Sequence, residues 1–126
     1  MNPRAEAWKN WLTMSAHVND AIGGDIEEAR SGILIRGRIK AIRLDGHKLV
    51  ITTEWAAIYE DEGKRWRIYR SKGADVFTCD LRDHSDDLPV EDEKTGIITF
   101  NTTLVDYTIY PKRSRKTLDA SKVQGL

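Results

Sequence analysis

A chain of 126 residues, 40% hydrophobic and 32% charged, is long enough for one hydrophobic core and has the composition of an ordinary globular domain. Its 20 basic and 20 acidic residues cancel, so no global field draws it to nucleic acid or an anionic membrane, and charge must be read locally. A single cysteine, Cys79, excludes an intramolecular disulfide and suits a reducing compartment. With no apolar run of ~20 residues and no signal-peptide core, the expectation is a cytoplasmic protein with no membrane partner.

Asn2 followed by Pro3 is a helix start, and Gly23-Gly24 a helix stop, which predicts one amphipathic helix over residues 3–22. Trp8, Trp11, Leu12, Ser15, Val18, Asn19 and Ile22 share one face of it. That face suits a lid on a sheet, or a surface for a protein partner. Asp25 with Glu28 three residues on resembles a capping box and predicts a short second helix over Asp25–Arg30.

From Ile33 to Tyr59 the pattern changes to a period of two. Ile33, Ile35, Gly37, Ile39 and Ala41 alternate with Leu34, Arg36, Arg38, Lys40 and Ile42; Leu49, Ile51, Thr53, Trp55 and Ala57 alternate with Lys48, Val50, Thr52, Glu54 and Ala56. A two-residue turn would pair odd positions with even ones and set Lys40 beside Ile51. A three-residue loop Leu44-Asp45-Gly46, with Gly46 in the left-handed position of a G1 bulge, pairs Arg43 with His47, Ile39 with Ile51, Ile35 with Trp55 and Arg36 with Glu54. It is the expected register because it alone sets apolar against apolar and opposite charges side by side. Gly37, inside an inward row, marks a bend or bulge. Further strands are expected over 64–70, 75–81 (with Phe77, Cys79 and Leu81 inward), 97–101 and 104–110, with Pro111 ending the sheet.

These elements predict a mainly β (α+β) fold in a single domain, residues 1–111: an N-terminal helix packed on a small antiparallel β-barrel or strongly curved sheet of about six strands over 33–111. A polar, acidic loop over 82–96 interrupts it, and residues 112–126 form a basic flexible tail.

The candidate chemistry is electrostatic. Arg36, Arg38, Lys40, Arg65, Arg67 and Tyr69 place cations and an aromatic ring along adjacent strands, the combination a single-stranded nucleic acid site uses for phosphates and bases. The plainer account is a solvated strand face, favoured by zero net charge and by Glu60, Asp61 and Glu62 nearby. A protein-interaction or assembly role would use Trp8, Trp11, Lys112, Arg113, Arg115 and Lys116, or pair open sheet edges into a homo-oligomer. A third possibility, a small-molecule pocket inside a cone-like sheet, calls for Thr53, Thr78 or Thr99 around a cavity.

Enzyme chemistry finds no purchase. Cys79 alternates with core residues, and nothing fixes His17, His47 or His84 beside it. Asp83-His84-Ser85-Asp86-Asp87 lacks the glycine and terminal glutamate of a calcium loop, and no P-loop or dinucleotide fingerprint occurs. The expectation is a non-enzymatic binding module with no cofactor and no metal, nucleic acid being its first candidate ligand.

Two short stretches carry family resemblances. Gly37, Ile39, Ile42, Asp45 and Leu49 resemble the first motif of Sm-like RNA-binding barrels, with Asp45 one residue late and His47 or Lys48 where that motif has asparagine. Gly63-Lys64-Arg65-Trp66-Arg67-Ile68 is similar to a strand of nuclear-transport-factor-2-like pocket proteins, which carry it nearer their C-terminus. No residue role carries over from either.

Overall fold

In a computed structural model of the chain, which describes residues 3–61, 66–82, 88–102, 104–114 and 123–124, two short helices lie against one sheet. The region expected as one helix is α1 (Pro3–Leu12) followed by α2 (Ser15–Ala21). The break has a local cause. The Thr13 hydroxyl donates to the Asn10 carbonyl at 2.7 Å, and the Thr13 and Met14 amides close tight final bonds to Asn10 and Trp11. A threonine bonded back to its own last turn competes with continuation of the helix.

The sheet contains β1 (Asp25–Arg30), β2 (Ile33–Asp45), β3 (Lys48–Asp61), β4 (Trp66–Lys72), β5 (Asp75–Asp80), β6 (Val90–Glu91), β7 (Ile98–Asn101), β8 (Asp106–Tyr110) and β9 (Val123–Gln124). Its order is β6-β7-β8-β1-β2-β3-β4-β9, antiparallel except at the short β4–β9 contact. The 14-residue β3 carries two neighbours on its outer edge: β5 along Lys48–Thr53 and β4 along Ala56–Asp61. The described strands form an open sheet, its terminal strands β6 and β9 pairing with β7 and β4 and not with each other, in place of the barrel considered from sequence.

Asp25–Arg30 is a strand, not a helix. β1 bonds to β2 on one edge and to β8 on the other, so all six residues gain a ladder partner, which one isolated helical turn does not provide. Ile26 and Glu28 face the helices, while Asp25 and Glu27 face the opposite side.

The central hairpin also departs from the expected register. Its loop is two residues, Gly46-His47, closing on the pair Asp45–Lys48, with Gly46 at φ +62°. A II′-type hairpin loop needs positive φ at that first position. Arg43 therefore pairs with Val50 and Ile35 with Ile58. The sequence-based register assumed unbroken alternation, but the pairing shifts twice, between Gly37 and Ile39 and between Ile39 and Ala41. The shift at Lys40 moves the inward set of β2 from Ile35 and Ile39 to Ile42 and Leu44. The shift at Glu54-Trp55 moves that of β3 from Leu49 and Ile51 to Ala56 and Ile58. Two compensating bulges keep apolar side chains on one face without the longer loop.

The helices cover part of that inner face. Trp8 is 1% exposed and packs edge-on to Phe100 (5.0 Å) and Trp11 (5.4 Å), while Phe100 stacks on Tyr107 at 4.8 Å. Ile26, Ile39, Leu49, Ile51, Ile98 and Ile109 complete the core with Phe77, Cys79 and Leu81, the three inward positions expected of the fourth strand. At the other end of the chain Pro111 closes β8, and a 3₁₀ turn, Lys112–Ser114, returns to α2 through Arg113 Nε–Asp20 Oδ2 at 3.1 Å.

Candidate functional site

The two faces of the β8-β1-β2-β3 region carry different polar constellations. On the outer face, Asp25 lies opposite Arg38 and Tyr110, and Glu27 lies opposite Arg36 and Thr108. Arg36 donates to Asp25 Oδ2 at 2.7 Å, Arg38 Nε donates to Asp25 Oδ1 at 2.8 Å, and the Tyr110 hydroxyl donates to Glu27 Oε2 at 3.0 Å. The Arg36 guanidinium also sits 5.8 Å over the Tyr110 ring. Burial pushes the Tyr110 hydroxyl up to about 12, helped by the Glu27 charge, and burial likewise raises Tyr59 nearby.

The first two members of the basic set are therefore on the outer face, as expected, but held by carboxylates. Arg36 is 3% exposed; Arg38 is three-quarters buried with its guanidinium 5.7 Å over the Trp55 ring. Lys40 is exposed at the bulge. Arg67 and Tyr69 lie on β4, next to β3, with side chains outside the description; Arg65 is outside the described residues altogether. Sequence reading missed Asp25 and Glu27 as partners because it had assigned them to a helix.

The alternative contact residues are placed in structural roles. Trp8 is core, Trp11 is half-buried against it, and Lys112 and Arg113 belong to the turn beside α2. Arg115, Lys116 and the Asp83–Asp87 stretch lie outside the described residues. Thr53 is buried and bonded to the Asp75 backbone, whereas Thr78 and Thr99 are exposed, so the three threonines line no common cavity.

The inner face holds a cleft that no motif announced. Beyond the area covered by the helices, Arg30, Ile33, Ile35, Ile58 and Glu60 surround a volume of about 370 Å³. The ladder explains the grouping: Arg30 pairs with Ile33 and Ile33 with Glu60, while in the next row Tyr107 pairs with Glu28, Glu28 with Ile35 and Ile35 with Ile58. Three isoleucines thus form a floor between a cation and an anion, and Ile33 remains 39% exposed. Glu28, only 5% exposed, holds Arg30 through Nε and a terminal nitrogen and shares a hydrogen bond with Tyr107. Burial, with the Glu28 charge behind it, holds the Tyr107 hydroxyl neutral well above its ordinary range.

A larger depression of about 650 Å³ lies along β6-β7-β8, lined by Leu88 and Val90 with Thr99, Asn101, Asp106 and Thr108. It has apolar rims and, among the described residues, no charged pair comparable to the cleft. Among the described residues no group of three or more His, Cys, Asp or Glu side chains is placed to hold a metal ion, and no helix is long and apolar enough to cross a membrane.

No protein-family model, curated protein or solved structure matches the chain.

Proposed function

We infer that the protein is a binding module for a small amphipathic molecule, taken up in the inner-face cleft. The observation that carries this reading is the open isoleucine floor of Ile33, Ile35 and Ile58, flanked by Glu60 and by Arg30, which the buried Glu28 positions. An apolar surface with few, oriented polar groups is the usual composition of a ligand pocket, and about 370 Å³ is within its usual size. Ligand-observed NMR with a panel of small amphipathic compounds tests it. Saturable binding that disappears in Ile33→Trp, which fills the cleft from its exposed side, is the expected result. Binding that persists in that variant, or none to the parent protein, removes the reading.

A second reading retains nucleic acid as the ligand. The support for it is the Arg38–Trp55 pair, a partly exposed cation over an aromatic ring beside exposed Lys40, the kind of surface on which a base stacks. The pairing of Arg36 and Arg38 with Asp25 weakens it by neutralising the charge that phosphates would meet. Anisotropy titration of labelled single-stranded RNA and DNA at about 50 and 200 mM salt decides it. Salt-sensitive binding, weakened by joint substitution of Arg38 and Lys40, supports it; no binding at the lower salt ends it.

A further inference from the structure

Resting on the cleft reading, we propose that the cleft selects a bipolar ligand, a short apolar chain with a carboxylate at one end and an ammonium at the other, held between Arg30 and Glu60. The two residues flank Ile33 in a single transverse row of β1, β2 and β3. Two interstrand steps separate them, about 10 Å of backbone spacing. Between them, among the described residues, the floor is made of the side chains of Ile33, Ile35 and Ile58.

The two charges are available in different ways. Glu28 engages Nε and one terminal nitrogen of Arg30, which leaves the donors of the other terminal nitrogen for a ligand carboxylate. Because Glu28 is buried and fixed, the guanidinium is held in place before the ligand arrives, which reduces the ordering cost of binding. The Arg30 side chain is 55% exposed and Glu60 is exposed, so both remain reachable from solvent.

Single-ended amphiphiles satisfy only half of this arrangement. A fatty carboxylate places its head on Arg30 but makes no use of Glu60, and an alkylamine meets Glu60 but leaves Arg30 unused. Discrimination follows from the end that does not fit. The volume of about 370 Å³ equals that of about a dozen water molecules at ~30 Å³ each, a size that admits an eight-carbon amino acid.

The test is calorimetric titration of the full chain with ω-aminooctanoate, octanoate, octylamine and octanol. The bipolar compound is expected to bind about tenfold more tightly than octanoate or octylamine and about a hundredfold more tightly than octanol, since each charge-assisted contact is worth about tenfold. Arg30→Gln and Glu60→Gln should each weaken ω-aminooctanoate binding about tenfold, to the level of the corresponding single-ended compound. If octanol, octanoate or octylamine binds as tightly as ω-aminooctanoate, and Ile33→Trp abolishes that binding, the cleft reading survives and the bipolar proposal is overturned. If none of the four binds, both fall. Thermal melts of the variants identify any loss that comes from unfolding.

Discussion

Arg36 and Asp25 form an ion pair inside the sheet: the guanidinium lies 2.7 Å from Asp25 Oδ2, with Arg36 3% and Asp25 2% exposed. Charges removed from water this fully are stable only while paired, because the loss of either partner leaves an uncompensated ion in a medium of low dielectric. Their place in adjacent strands, with Arg38 as a second donor to Asp25 and Glu27 within 3.5 Å of Arg36, ties β1 to β2 through side chains as well as backbone.

Breaking that pair from one side should therefore be costly. Asp25→Ala is expected to destabilise the fold by about 3–5 kcal/mol, whereas Asp25→Leu combined with Arg36→Met should recover most of the loss. Urea unfolding of the single and double variants measures the difference. A single variant within about 1 kcal/mol of the parent, against the 5–15 kcal/mol typical of a whole domain, would show that the network is solvated.

Trp8 supports a second prediction. Its ring is the largest fully buried side chain among the described residues and joins α1 to Phe100 of β7. Trp8→Ala should cost about 3–5 kcal/mol through the lost contact and the remaining cavity. Trp8→Phe should cost less than its change in volume implies, because the indole N–H has no hydrogen-bond partner among the described residues and its removal relieves a buried donor. Equal losses in the two variants, read from chemical denaturation, would contradict the packing described.

Which parts of this were legible in the sequence follows from how local each signal is. Strand alternation in Phe77, Cys79 and Leu81 and the stop at Pro111 depend on neighbours in the chain, and they read correctly. Asp25–Arg30 misled because its capping pattern is local while its ladder partners, in β2 and β8, are up to 85 residues away in Asp25–Tyr110. The hairpin register misled for a related reason. A bulge reverses which face a residue occupies, and only Gly37 hinted at it. Arg36 and Arg38 were visible as cations, but their neutralisation depends on the strand that had been read as a helix. The cleft was invisible because Arg30, Ile33 and Glu60 meet only once three strands align.

Tyrosine ionisation gives a pH prediction. Tyr110 ordinarily titrates at 10, and in the fold burial and the Glu27 charge raise it to about 12, so the folded state keeps a proton that the unfolded chain releases. Its contribution to stability is complete below pH 10 and is lost as pH rises from 10 through about 12. Tyr59 and Tyr107 shift in the same direction and should steepen the decline. Urea midpoints across this window should fall, and Tyr110→Phe should flatten part of the fall. A midpoint independent of pH there would show that the phenols are solvated.

Gly37 tests the bulged hairpin itself. It sits where the pairing of β2 with β3 shifts, and a Cβ at that position would lie 2.8 Å from the Trp55 carbonyl oxygen and 2.8 Å from Thr53 Cγ2. The carbonyl belongs to the backbone and cannot turn aside as a side chain can. Gly37→Ala should therefore push β2 and β3 apart at the bulge and destabilise the protein by about 1–3 kcal/mol, the usual range for overpacking. Gly73, where an added Cβ meets nothing within 4 Å, is the matched control; Gly73→Ala should fall within about 0.5 kcal/mol of the parent. The strand shift should also reach Ile35 and Ile58, two residues along each strand, and weaken ligand binding in the cleft. If Gly37→Ala proves as harmless as Gly73→Ala, the two strands do not approach as closely as the bulged register requires, and the unbroken pairing becomes the better account.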